Sequence, residues 1–160
     1  MKEDKELLIH ASQNESRILI NVTLLGICFT IFGLIITIKP ELFRVNTFLT
    51  VQLVCSIPLM LSCLFARSKL RFNSKADLWK KFSFLTFLLS YTFLVNVVGL
   101  LLIEFISLKV GLIFFGVNVL FALLYSSVEI YYDKKRLGER IVKDLFFIAL
   151  VFFLGIMPTL

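Results

Sequence analysis

Phe82 to Ile103 reads FSFLTFLLSYTFLVNVVGLLLI, twenty-two residues without a charge. About 20 apolar residues carry a helix across a bilayer core of roughly 30 Å, so this stretch is long enough to span. Its polar members, Ser83, Thr86, Ser90, Tyr91, Thr92 and Asn96, interrupt a run of Phe, Leu, Val and Ile without alternating with it. A transmembrane β-strand would alternate apolar and polar residues. This segment is apolar on all sides, and a helix satisfies its own backbone in lipid.

Working outward, Ile18–Ile38, Val45–Ala66 and Val110–Val128 are also free of charge. Leu145–Leu160 adds sixteen uncharged residues, extended by Ile141 and Val142 if Lys143 and Asp144 stand at the headgroups. The whole chain agrees. It has 160 residues, 59% hydrophobic and 18% charged, with a mean hydropathy of +0.93. Soluble domains hold roughly 45–50% apolar residues and about 25% charged ones. Disorder needs low hydrophobicity. Three cysteines do not make a disulfide scaffold, and one histidine argues against a zinc site.

The expected fold is an all-α integral membrane protein, a single bundle over residues 1–160. It has five transmembrane helices, or four plus a short C-terminal segment. The spans fall at about 18–38, 45–66, 82–106, 108–130 and 143–160, joined by basic loops at 67–81 and 131–143. The first span starts late for a signal peptide and has no small-x-small cleavage site after it, so it is expected to be a retained signal anchor.

Cytoplasmic loops collect Lys and Arg. Fourteen of the seventeen cations lie in the N-terminal segment and the second and fourth loops; only Lys39, Arg44 and Lys109 lie opposite. This places the N-terminus in the cytoplasm and implies the bacterial or archaeal cytoplasmic (inner) membrane, or a eukaryotic endomembrane; the lack of a targeting extension favours the prokaryotic one. Trp79, Tyr131 and Tyr132 fall at the same boundary, where amphipathic rings settle. Ser12-Gln13-Asn14-Glu15 fits a capping box that would begin the first helix. The second loop offers Arg67, Lys69, Arg71, Lys75, Trp79, Lys80 and Lys81 to anionic inner-leaflet lipid or to a cytoplasmic partner protein. A plain positive-inside loop accounts for the same residues. No nucleic-acid motif accompanies them.

Helices in lipid associate through small residues and interhelical hydrogen bonds. The first span carries Thr23, Gly26, Thr30, Gly33 and Thr37, at steps of 3, 4, 3 and 4. That is one face of small residues, suited to a close helix contact within or between subunits, or to a pore lining. Asn96 and Asn118 stand at equal distances from Ser107, so an outer hairpin there would bring both amides to the same depth. They can pair as a clamp, with Gly99 beside Asn96, or face a cavity. Gln52 heads a polar face of the second span that includes Cys55, Ser56, Ser62 and Cys63. Pro58 interrupts that span and is a candidate hinge. No acid or base falls at mid-membrane, which argues against a proton pump or voltage sensor.

No catalytic, cofactor or metal motif occurs. His10 is the only histidine, and HExxH, GxSxG and Walker A patterns are absent. The cysteines lie in apolar spans, where a thiol stays protonated. The expectation is a non-enzymatic membrane protein without cofactors: a homo-oligomeric channel or membrane-state sensor, or else a scaffold or accessory subunit that recruits a cytoplasmic effector. In layout alone the chain resembles small membrane components of phage-defence systems and immunity proteins against pore-forming toxins. No motif carries that likeness.

Overall fold

A computed structural model describes residues 2–72, 77–132 and 137–159. They are helical almost throughout, with no strand among the described residues. The elements are α1 (Lys2–Ile38), a short α2 (Leu42–Val45), α3 (Thr47–Phe72), α4 (Asp77–Phe105), α5 (Leu108–Tyr132) and α6 (Leu137–Val151). A π-helical turn, Phe152–Ile156, and a 3-10 turn, Met157–Thr159, continue α6. Five stretches are long and apolar enough to cross a membrane: Glu15–Ile38, Thr47–Leu70, Asp77–Phe105, Leu108–Val128 and Ile141–Thr159. The last has 19 residues, so the fifth apolar segment reaches spanning length.

The helices outrun the apolar stretches. α1 begins at Lys2, so Ser12 lies inside it and does not cap its start. The preceding residues, KEDKELLIHA, are mostly good helix formers, and their charge does not stop a helix. The same reason carries α3 to Phe72 and starts α4 at Asp77, so most of the basic segment 67–81 is helical. Likewise α5 ends at Tyr132 and α6 begins at Leu137, within the segment 131–143. Between α4 and α5 the chain turns at Ser107, whose Oγ accepts the Val110 N–H at 3.4 Å. α3 continues as helix through Pro58, which is exposed.

The chain forms two compact units. The first comprises residues 1–45 and 53–91, the second 46–52 and 92–160. In the first unit, Asn21, Cys28, Ile35 and Leu42 recur every seven residues and are all buried. The first three lie two helical turns apart on α1 and form one inward stripe; Leu42 is buried on α2, beyond the turn at 39–41. Met60, Cys63, Ala66 and Leu70 of α3 are buried in the same unit. Phe32 and Phe43 meet with ring centroids 5.3 Å apart, fixing α2 against α1.

In the second unit the core is Phe115. Its ring is fully buried and fills the space opened by two glycines, Gly99 on α4 and Gly155 on the π-helical turn. A Cβ at Gly99 would overlap the Phe115 ring; one at Gly155 would lie 2.9 Å from it. An aromatic ring cannot yield by rotating about a flexible stem, so overpacking here costs about 1–3 kcal/mol. Gly99→Ala and Gly155→Ala are each expected to lower the unfolding free energy by that amount. Reversible unfolding in mixed micelles measures it. Gly116→Ala, whose Cβ meets nothing within 4 Å, should be near neutral.

Candidate functional site

Two buried polar clusters and one exposed seam hold the residues of interest. In the second unit Asn96 is 0% exposed. Its Nδ2 donates to Gln52 Oε1 at 2.7 Å and to the Leu150 carbonyl at 3.3 Å. Gln52 Nε2 in turn donates to the carbonyls of Leu154, at 2.9 Å, and Phe48, at 3.1 Å. Two amides thus lock α3 and α4 to the carbonyls around the π-helical turn. Such turns are rare, and their shifted hydrogen bonding frees carbonyls for outside donors. Gly155 sits against the Asn96 amide: a Cβ there would stand 2.8 Å from Oδ1. That oxygen has no hydrogen-bond partner among the described residues.

Asn118 does not join this cluster. Its Nδ2 donates to the Phe114 carbonyl of its own helix at 2.8 Å, and the residue is half-buried. Equal depth therefore does not bring the two asparagines together. Phe115 takes the inward position on α5; Asn118, about 60° further round the helix, is only half-buried and spends its amide on its own backbone.

In the first unit the cluster is built on sulfur. Cys63 Sγ accepts from Asn21 Nδ2 at 3.2 Å and from Arg67 Nε at 3.4 Å, and donates to the Ser83 carbonyl at 3.2 Å. Ser90 Oγ donates to Met60 Sδ at 3.4 Å, and Cys28 Sγ lies 3.6 Å from Ser56 Oγ. The three cysteines are unoxidised; Cys28 and Cys63 are buried and Cys55 is half-buried. Arg67 departs from its sequence reading as a lipid or partner contact. It is 8% exposed, and its guanidinium lies 5.6 Å from the Phe87 ring centroid. The reason is helical continuity: α3 runs past Arg67, and the step of four from Cys63 keeps both on the inward face. Lys69, Trp79, Lys80 and Lys81 are exposed, with Lys80 3.5 Å from Asp77. Lys75 lies outside the described residues, as does the side chain of Arg71.

The seam is on α1. Thr23, Gly26, Thr30, Gly33 and Thr37 are all exposed, on the side of the helix opposite Asn21, Cys28 and Ile35. Each threonine hydroxyl donates to the carbonyl four residues back: Thr23 to Leu19, Thr30 to Gly26 and Thr37 to Gly33, at 2.8–3.0 Å. The hydroxyls are thereby satisfied, and the face presents methyl groups and bare glycine backbone. A Cβ at Gly26 or Gly33 would meet nothing within 4 Å.

No protein family, curated protein or solved structure matches this chain. Among the described residues no three His, Cys, Asp or Glu side chains stand together as metal ligands. The amides of Gln52 and Asn96 are committed to helix contacts. The five small residues of the α1 seam stand aligned on one exposed face, and its three threonine hydroxyls bond only to their own helix. Sequence reading passed over Asn21, Ser126 and Gly155. For Asn21 there was a signal, since it starts the seven-residue stripe through Cys28 and Ile35; for the other two there was none.

Proposed function

We propose that this protein is a non-enzymatic, homo-oligomeric membrane component, a channel or sensor of membrane state, assembled through the exposed face of α1. One observation carries this reading: the five small residues of that face are all exposed, while the stripe opposite them is buried. In lipid there is no hydrophobic force to hide such a face. Its value is that bare backbone lets a second helix approach closely. A second copy supplies an identical face, so the contact is self-complementary or closes into a ring.

Orientation follows from the Lys and Arg bias, with the N-terminus in the cytoplasm and the protein in the inner membrane. Any conducting path would run along the α1 axis. It would be narrow and uncharged, lined by threonine methyls and glycine, and gated by wetting rather than by a charge ring. The polar pair Gln52–Asn96 is taken up in packing and would not line it. Purified protein in planar bilayers should conduct if the assembly is a channel. A silent oligomer would place it with the sensors, and a monomer would remove the reading.

The exposed Lys69, Trp79, Lys80 and Lys81 support a second reading, a scaffold that recruits a cytoplasmic effector or holds anionic lipid. Neutralising the three lysines should then abolish effector recruitment while leaving the number of subunits per oligomer unchanged.

A further inference from the structure

Between α5 and α6, within the second unit, lies a cleft of about 200 Å³. Its walls are apolar: Leu123 from α5, and Ile141, Leu145 and Ile148 from α6. Leu145 is 62% exposed, and Leu123 and Ile141 are exposed as well, so the cleft opens sideways. Its polar lining is Ser126, Ser127 and Asp144.

Ser126 is the informative residue. It is 3% exposed, and its hydroxyl has no partner among the described residues. The neighbouring Ser127 hydroxyl closes on the Leu123 carbonyl at 2.8 Å, as the α1 threonines close on theirs. That local bond is the usual fate of a membrane hydroxyl. Both serines line the cleft, and Ser126 alone of the two leaves its hydroxyl unbonded there. A buried hydroxyl without a partner is destabilising, and a ligand acceptor would relieve it.

The depth is that of the headgroup boundary. Ser126 is two residues from the end of the apolar stretch Leu108–Val128, and Asp144 is three residues into Ile141–Thr159. Asp144 Oδ1 and Lys143 Nζ are 3.7 Å apart, with only 13% and 21% of their side chains exposed. Lys143 Nζ also lies 5.7 Å from the Tyr125 ring centroid. Asp144 thus lines a narrow apolar cleft at about the depth of the buried Ser126 hydroxyl, and Lys143, its ion-pair partner, stands beside it. A second helix, about 10 Å across, does not fit. A free fatty acid would bring its carboxylate to Asp144.

We propose that this cleft binds a phospholipid carrying a primary ammonium. The ammonium pairs with Asp144, the phosphate with Lys143, an ester carbonyl accepts from Ser126 Oγ, and one acyl chain lies along Leu123, Leu145 and Ile148. The site stands apart from the α1 assembly and does not depend on it.

Native mass spectrometry of the full chain in detergent tests this, with palmitoyl-oleoyl phosphatidylethanolamine, phosphatidylcholine and phosphatidylglycerol as probes. Lipid adducts are counted per subunit, so the result is separable from oligomeric state. Phosphatidylethanolamine should be retained at about tenfold lower concentration than phosphatidylcholine, whose trimethylammonium has no N–H to donate; that is the scale of one charge-assisted hydrogen bond. Asp144→Asn should erase the preference, and Ser126→Phe, which fills the cleft, should remove the bound lipid of every class. If Ser126→Phe fails to fold, Leu145→Trp at the exposed wall serves instead. Equal retention of the three lipids overturns the proposal, as does preference for phosphatidylglycerol. Unchanged retention in folded Asp144→Asn and cleft-filled variants overturns it too.

Discussion

The double variant Gly26→Leu/Gly33→Leu is expected to lose its oligomer and keep its fold. Both glycines lie on the exposed seam of α1, and a Cβ at either meets nothing within 4 Å. Within the subunit the new side chains therefore displace nothing. Glycine is also a poor helix residue, by about 1 kcal/mol relative to alanine, so the variant helix is locally no worse. Between subunits the effect reverses. Two leucines on a face of glycine and threonine hold the partner backbone away and forfeit the close packing that drives association in lipid. The dissociation constant should rise more than tenfold, which is about 1.4 kcal/mol or more. Mass in detergent measures the first effect and the thermal midpoint the second. An unchanged mass would mean that the seam faces lipid and that assembly, if present, uses another helix.

Asn96→Leu should show the converse, a subunit that is less stable and still assembles. The amide bridges α4 to Gln52 on α3 and to the Leu150 carbonyl near the π-helical turn. Removing it strands the Gln52 oxygen in a dry interior, at a cost of about 1–3 kcal/mol. Measured interhelical hydrogen bonds in membranes average about 0.6 kcal/mol and reach about 1.7, so the lower half of that range is the better guide. Adding Gln52→Leu should restore part of the loss, because neither partner is then left alone. Asn118→Leu is the control: its amide serves only its own helix, and the expected change is within about 0.5 kcal/mol. Steric-trap or mild-denaturant unfolding in micelles separates these variants. Equal losses at Asn96 and Asn118 would show that depth alone, and not the contact with Gln52, sets their importance.

The spans were legible because crossing a membrane is a one-dimensional property of the chain. Phe82–Ile103 needs no partner to be recognised. Helix ends were not, since Arg67 to Phe72 continue α3 on helix propensity after hydropathy has fallen. What hydropathy omits is azimuth. Asn96 and Asn118 share a depth, but on α5 the fully buried position falls to Phe115, and Asn118, about 60° round from it, is half-buried and bonded to its own helix. The α1 seam was visible as a pattern, yet so is the stripe Asn21–Cys28–Ile35 on the opposite side. Nothing in the letters says which of the two turns inward. Arg67 was read by its neighbours in the loop, when its step of four from Cys63 pointed into the unit. The π-helical turn at Phe152–Ile156 has no sequence signature and could be seen only in the structure.

The most direct test is the mass of the purified protein in mild detergent or nanodiscs, combined with disulfide crosslinking of a Thr30→Cys variant on the α1 seam. At 18.4 kDa per subunit, a discrete oligomer is readily resolved from a monomer. The expected result is one oligomeric species whose subunits crosslink through the thiol introduced on the seam, with no crosslink from a Leu120→Cys variant on the exposed side of α5. A monodisperse monomer at all concentrations, or an oligomer that crosslinks through α5 and not through α1, would contradict assembly on the glycine and threonine face.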